Sequence, residues 1–231
     1  QASLVGSEMC IRDRYFNHHM WLQMAGVKSI PLDTDANMNP IIEKAEALIT
    51  DRTRAIVLVS PNNPSGAIYS NQLLQKFFDL CKSNQIRLII DETYKDFHPN
   101  ASQPHTLLEN NNWDQVLTIL YSFSKTYRMT GHRVGAILTR DENLLEIEKA
   151  LDTFTVCPPQ LGQDAANWGL ENLEAWTADH RSEILQRAKH FSEKFQPLSA
   201  AGWSLRGCGA YFAFVEHPFD CLLYTSDAAD E

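Results

Sequence analysis

The chain has 231 residues, of which 44% are hydrophobic and 21% charged, a balance that is typical of globular domains and excludes an intrinsically disordered chain. Its formal net charge of −9 and the lack of a basic stripe argue against nucleic acid as a partner. The sequence has no apolar run near the ~20 residues of a membrane-spanning helix, and no basic segment before an apolar core that would indicate a secretion signal.

Disulfide and metal-binding patterns are also absent from the sequence. The cysteines are widely scattered and form no C-x-x-C pair, which predicts reduced thiols and a cytoplasmic location. His18 and His19 are adjacent, so taken as strand residues they point to opposite sides, and no matching carboxylate cluster follows them. No metal site is therefore predicted.

The two ends of the chain are predicted to be non-native tails, at residues 1–14 and 221–231. They contain the segments SLVGSEMCIRDR and CLLYTSDAADE, which resemble translated sequencing-adapter DNA of the transposon-insertion type. Codons for Met-Cys-Ile-Arg-Asp, read on the opposite strand and shifted by one frame, encode the Leu-Leu-Tyr-Thr of the second tail. The alternative is that both segments are natural, poorly ordered termini. Such tails are left out of the predicted fold.

From residue 15 onward, predicted strands and helices alternate. The hydrophobic patterns predict strands at residues 27–32, 55–59, 87–90 and 116–121, and helices at 40–49 and after Ser70, which can cap its helix. Residues 134–138 are expected to form an antiparallel or edge strand. Because strands alternate with helices, the fold class is predicted to be α/β with a mostly parallel sheet.

After residue 140 the pattern becomes mainly helical. Helices are predicted from Asp141, as the cap, to Leu151, at 160–170 and at 173–195, followed by strands at 203–206 and 211–215. The predicted domains are a large domain at 15–160, and at 161–220 the interdomain helices with the start of a smaller α+β domain.

Polar residues follow directly on three predicted strands. Asn63, Asp91 and Ser122 each come after a buried apolar run, and they lie 28 and 31 positions apart. Each interval can hold one βαβ unit. Because ligands of open α/β sheets bind at the carboxyl ends of the strands, the three residues are expected at one rim.

The residues around these strand ends suit pyridoxal 5′-phosphate (PLP) chemistry. This cofactor needs a lysine to hold it covalently, a carboxylate at its pyridine nitrogen, and hydroxyls with an arginine at its phosphate. Lys125 lies between Ser124 and Thr126, and Arg133 follows eight positions later. Read singly, Lys125 also fits a surface turn and Asn63 a turn residue; their joint occurrence favours a cofactor site.

Three segments together resemble one family: PNNPSG at 61–66, DETYKDF at 91–97 and SFSKTYRMTGHRVG at 122–135. In this order and approximate spacing they are similar to the class I/II aminotransferases, the fold-type-I PLP enzymes. The resemblance covers essentially all of residues 15–219. It implies a three-layer large domain like that of other PLP transferases.

The resemblance also implies roles for individual residues. Asn63 and Tyr94 would bind the ring oxygen of PLP, Asp91 would pair with the pyridine nitrogen, and Lys125 would form the Schiff base. The phosphate would be held by Ser122, Ser124 and Arg133, and Tyr15 would stack on the ring. The predicted catalytic residues are Lys125, Asp91 and Tyr94.

The implied reaction moves an amino group between an amino acid and a 2-oxo acid, in a homodimer. Another reaction of the same cofactor, by a C–S β-lyase, a decarboxylase or a synthase, remains an alternative, as does an inactive fragment. The family's phosphate-binding loop is expected before Tyr15 and its carboxylate-binding arginine after residue 220. Arg206 does not match that arginine, so this chain alone is expected to be inactive.

Overall fold

The computed structural model describes residues 3–5, 15–101 and 103–219, and its main feature is a six-stranded sheet in the order β2-β1-β3-β4-β5-β6. The strands are β1 (Ser3–Val5), β2 (Ser29–Pro31), β3 (Ala55–Val59), β4 (Arg87–Asp91), β5 (Leu117–Ser122) and β6 (Gly135–Leu138). The helices are α1 (Phe16–Met24), α2 (Ile42–Leu48), α3 (Asn71–Ser83), α4 (Asp141–Phe154), α5 (Gln160–Asn172) and α6 (Glu174–Phe195).

Four of the six strands run in the same direction. β3, β4 and β5 are parallel neighbours at the centre of the sheet. β1 is antiparallel to both β2 and β3, so β2 runs in the same direction as β3, whereas β6 is antiparallel to β5. The predicted α/β fold with a mostly parallel sheet is confirmed, as is the antiparallel strand at residues 134–138.

Helix α3 covers one face of the sheet and forms much of the core. It begins after Ser70, whose hydroxyl accepts a hydrogen bond from Leu73 N at 3.2 Å and so caps the first turn, as predicted. Leu74 and Phe77 are buried in one hydrophobic cluster with Ile56 and other strand residues. Each such fully buried side chain contributes roughly 1.5–3 kcal/mol to folding, and this packing holds the strand ends in place.

A separate hairpin follows the helices. Strands β7 (Ser204–Gly209) and β8 (Phe212–Glu216) pair antiparallel. Phe212 and the buried turn residue Ala210 pack with Tyr94, Phe97 and Ile184 in a second hydrophobic cluster. The hairpin is thereby attached both to α6 and to the segment that follows β4.

Three local expectations were wrong. Residues 16–24 form helix α1, so His18 and His19 do not lie on a strand. Asp141 is the first residue of α4 rather than its cap, because Arg140 occupies the cap position and no side chain caps this helix end. Residues 3–5, which were left out of the predicted fold as part of a tail, form β1 within the main sheet.

The described helices include none that is long and apolar enough to cross a membrane. The described cysteines, Cys81, Cys157 and Cys208, are free. Cys81 lies in the core on α3, where burial raises the pKa of its thiol to about 12. Its role is therefore in packing rather than in thiolate chemistry.

Candidate active site

A cavity of about 250 Å³ lies at the carboxyl ends of the central strands. We call it the rim cavity. All eight residues predicted to bind a cofactor line it: Tyr15, Asn63, Asp91, Tyr94, Ser122, Ser124, Lys125 and Arg133. Val59, Thr93 and Thr130 complete the lining and were not predicted.

The parallel register of the sheet explains this convergence. Asp91 is the last residue of β4 and pairs with Val59, the last residue of β3, so Asn63 follows on the same edge. Ser122 is the last residue of β5, which is parallel to β4. The expectation that Asn63, Asp91 and Ser122 share one rim agrees with the structure, while the roles of these residues remain predictions.

The carboxylate of Asp91 is buried and has two polar partners. Its Oδ1 accepts a hydrogen bond from Thr93 N at 3.0 Å, and its Oδ2 lies 3.0 Å from His18 Nε2. Burial by itself raises the pKa of Asp91, but the hydrogen bonds from His18 and Thr93 outweigh it and hold the pKa below its ordinary value. A negative charge is therefore maintained at the floor of the rim cavity.

His18 is a functional candidate that the sequence did not reveal, because residues 15–18 were assigned to no helix. Tyr15 occupies the N-cap position of α1 and His18 follows one turn later, so both lie on the same side of the helix. Their rings meet edge to face at 5.1 Å, and Asn17 Nδ2 donates to the Tyr15 hydroxyl at 3.1 Å. The spacing of Tyr15 and His18 does not mark them as a functional pair, because the contact that places His18 is with Asp91, 73 positions away.

The His18–Asp91 contact predicts a pH-dependent effect on stability. Because the folded-state pKa of Asp91 is lowered, its contribution to stability is present above its ordinary value of about 3.9 and is lost as the pH falls through the folded pKa. We expect His18→Phe to lower the free energy of unfolding more at pH 7 than at pH 3. Urea unfolding at both values measures this difference.

The matched control for this prediction is His190→Phe, at an exposed histidine of α6. Its effect on the free energy of unfolding should not follow the titration of Asp91. An equal loss of stability at pH 7 and pH 3 in His18→Phe would show that the histidine contributes packing alone.

Tyr94 and Asn63 also line the rim cavity and contact each other. Asn63 Nδ2 donates to the Tyr94 hydroxyl at 3.3 Å. Burial, and then the neighbouring Tyr211, raise the pKa of the Tyr94 phenol, which keeps it protonated at neutral pH. Both side chains can therefore donate hydrogen bonds to an anionic oxygen placed between them.

The remaining polar residues of the lining include the hydroxyls of Ser122 and Ser124 and the guanidinium of Arg133. Ser122 Oγ accepts a hydrogen bond from Ser124 N at 3.2 Å. Arg133 has a left-handed backbone with φ of 51°, and its guanidinium donates to Thr130 O at 2.9 Å. Hydroxyls, Lys125 and a guanidinium together suit a phosphate group.

Glu92, next to Asp91, belongs to a different environment. It is buried and lies 2.5 Å from His105 Nε2. Since Leu107 N donates to the other ring nitrogen of His105 at 3.3 Å, Nε2 carries the proton that is donated to Glu92. This pair supports the segment that follows β4 and leaves Asp91 as the carboxylate of the rim cavity. The described residues hold no cluster of three or more metal-ligating side chains.

The family model described as aminotransferase class I and II matches residues 13–220. The chain belongs to this family. An aromatic aminotransferase of Arabidopsis thaliana is 29% identical to this chain over 213 residues, which are 88% of the chain and 52% of the relative. An aspartate aminotransferase of Sulfolobus acidocaldarius is 27% identical, covering 70% of the chain and 41% of the relative.

Solved structures show the same fold. An alanine aminotransferase from Pyrococcus furiosus superposes with a TM-score of 0.72 at 24% identity, over 86% of this chain and 52% of that one. An aromatic aminotransferase from Pyrococcus horikoshii gives a TM-score of 0.68 at 25% identity, over 78% and 48%. The chain thus spans about half the length of the relatives that it matches.

The family uses PLP, and the groups around the rim cavity suit this cofactor. PLP has a basic ring nitrogen, an anionic ring oxygen, an aldehyde and a phosphate. The rim cavity offers complementary groups to each of these in turn: the carboxylate of Asp91, the two donors Asn63 and Tyr94, the amine of Lys125, and the hydroxyls with Arg133. The residues present therefore fit the cofactor that the family implies.

Proposed function

We propose that this chain is the cofactor-binding part of a PLP-dependent aminotransferase, which moves an amino group from an amino acid to a 2-oxo acid. One observation carries the proposal. The predicted lysine, carboxylate, ring-oxygen donors and phosphate ligands come from separate segments of the chain and line a single cavity. Among the described residues that line it, Lys125 is the one amine.

When bound, PLP supplies an electron-accepting ring and an aldehyde that can take up an amino group. Asp91 would hold the ring nitrogen in its protonated form, because the buried carboxylate keeps its charge at neutral pH. His18 and Thr93 would maintain that charge through their hydrogen bonds. Asn63 and Tyr94 would donate to the ring oxygen.

Lys125 would attach the cofactor covalently through Nζ. The same nitrogen would also be the base that removes the α-proton of the amino acid and returns a proton during transfer. Ser122, Ser124 and Arg133 would hold the phosphate so that the ring stays in one orientation beside Lys125. Tyr15 would pack against the ring.

The reaction itself can be tested with the full chain and PLP. A nitrogen-15-labelled amino acid is supplied together with an unlabelled 2-oxo acid, and the products are identified by mass spectrometry. Transamination predicts a new labelled amino acid derived from the oxo acid. Release of carbon dioxide, or of ammonia with a cleaved side chain, would instead indicate a decarboxylase or a β-lyase. Binding of PLP without any product would limit this chain to holding the cofactor.

We also propose that the active protein is a homodimer and that α1 contributes to its interface. Phe16, Met20 and Met24 lie on one stripe of α1 at helical spacing and are 62%, 51% and 75% exposed. An exposed apolar stripe of this kind marks an interaction surface. The other side of the same helix carries His18 to Asp91, so a partner on the stripe would stabilise the rim cavity.

We expect Met20→Glu to raise the dimer dissociation constant by about tenfold or more, because it buries a charge in an apolar contact. Sedimentation velocity over a range of concentrations measures this constant. The matched control is Gln23→Glu, at an exposed polar residue of the same helix. A monomeric wild-type chain, or equal dissociation constants for all three proteins, would refute the assignment.

A further inference from the structure

The β7–β8 hairpin touches both residues that face the proposed ring oxygen of the cofactor. On one side it lies against the loop that carries Asn63, and on the other its turn packs on the ring of Tyr94. Asn63 and Tyr94 lie 31 positions apart on different strand ends, so a single element that contacts both can set their separation.

The contact with the Asn63 loop is made by backbone atoms. A Cβ built on Gly66, whose φ is +73°, would lie 2.5 Å from Gly209 N and 2.9 Å from Phe212 O. A Cβ on Gly207 would collide with the carbonyl oxygen of Ser65, and one on Gly209 with that of Gly66. Backbone atoms cannot rotate away as a side-chain tip can. The two segments therefore approach as closely as glycine allows.

Hydrogen bonds within the loop join Asn62 to residues 65 and 66. Asn62 is buried, and its Oδ1 accepts hydrogen bonds from Ser65 N at 3.1 Å and Ser65 Oγ at 2.7 Å. Gly66 N donates to Asn62 O at 2.8 Å. A shift of residues 65 and 66 would therefore move Asn62 as well. Asn63 is the next residue and would move with it.

The contact with Tyr94 is aromatic. Its ring meets Phe212 edge to face at 5.0 Å and Tyr211 at 5.4 Å. Tyr94, Phe212 and the buried turn residue Ala210 belong to one hydrophobic cluster. The hairpin turn thus holds the phenol in place while the preceding strand holds the loop.

We propose that Gly207, Gly209 and Phe212 are positioning residues, which set the distance between Asn63 and Tyr94 and so the hydrogen bonds made to the cofactor's ring oxygen. The proposal rests on the proposed function, because it needs PLP in the rim cavity. The hairpin lies more than a hundred residues beyond Asn63 in the sequence, so its position along the chain does not suggest a role at the cofactor.

The test uses the visible absorbance of PLP bound to the full chain, titrated with pH. Donors to the ring oxygen favour its anionic form, so displaced donors raise the pKa of the bound chromophore. We expect Gly209→Ala and Phe212→Leu each to raise it by about one to two pH units, the scale of one hydrogen bond to a charged group. Phe212→Leu introduces no backbone collision and provides the test if Gly209→Ala does not fold.

The matched control is Cys208→Ala. Cys208 lies between the two glycines, but its thiol points to α6, where it donates to Ala188 O at 3.6 Å. Its removal should weaken the attachment of the hairpin without moving the chromophore titration. Unchanged titration in both Gly209→Ala and Phe212→Leu, or equal shifts in all three variants, overturns the positioning role. Failure of the wild-type chain to bind PLP at all would instead refute the proposed function.

Discussion

Lys125→Ala should abolish covalent capture of PLP by this chain and, in the whole enzyme of which it is proposed to be part, lower the transamination rate by about 10⁴-fold, the upper end for loss of a proton-transferring group. Lys125 supplies the one amine among the described residues of the rim cavity. No neighbouring lysine of that lining can take over the bond to the cofactor. The phosphate ligands and Asp91 would remain, so reversible binding of PLP should persist.

Borohydride reduction followed by peptide mass spectrometry measures the capture. Wild-type chain should carry the reduced cofactor on the peptide that contains Lys125. The control is Lys149→Ala on α4, where the lysine is 70% exposed and pairs with Glu146 on the surface. Capture at another lysine of the wild-type chain, or undiminished capture in Lys125→Ala, would contradict the assignment.

In the whole enzyme of which this chain is proposed to be part, Asp91→Asn should lower the transamination rate by about 10²- to 10³-fold, the usual cost of removing one preorganised electrostatic group. Asparagine keeps the shape of the side chain and the acceptor for Thr93 N. It removes the negative charge that the buried site maintains with help from His18. The ring nitrogen of PLP would then lose its proton and accept electrons less well.

Steady-state kinetics with a fixed amino donor measure this loss, which should fall mainly on kcat. The control is Asp152→Asn, at an exposed position of α4. A cofactor analogue with a permanent positive charge at the ring nitrogen should restore part of the rate in Asp91→Asn. Absence of any rate difference between the variant and wild-type chain would exclude Asp91 as the partner of the ring nitrogen.

The sequence predicted the residues at the strand ends because the patterns that mark a strand and its end are local. The apolar runs at 55–59 and 87–90 end at turn or polar residues, and both proved to be parallel neighbours in the sheet. Parallel strands joined by right-handed crossovers place their carboxyl ends on one edge. The last residue of each of these strands therefore lies at the rim cavity.

Helix α1 was missed for an equally physical reason. Its large apolar residues face outward, and the helix has no buried residue and no side-chain cap. The usual signs of a helix, an inward apolar stripe and a capping residue, are thus lacking. Its position follows from a tertiary contact, the approach of His18 to Asp91, which no local pattern encodes.

By itself, the sequence determined the groups from which a PLP site is proposed: a lysine, a carboxylate, an amide, a phenol and hydroxyls, each at the end of a strand or in a recognisable motif. Only the tertiary structure showed which other residues contact these groups and hold them in position. His18 holds the charge of Asp91 across 73 positions of chain, and Gly209 meets Gly66 across more than a hundred. Such contacts depend on how α1 and the hairpin pack against the sheet, since packing between distant segments has no fixed spacing along the chain.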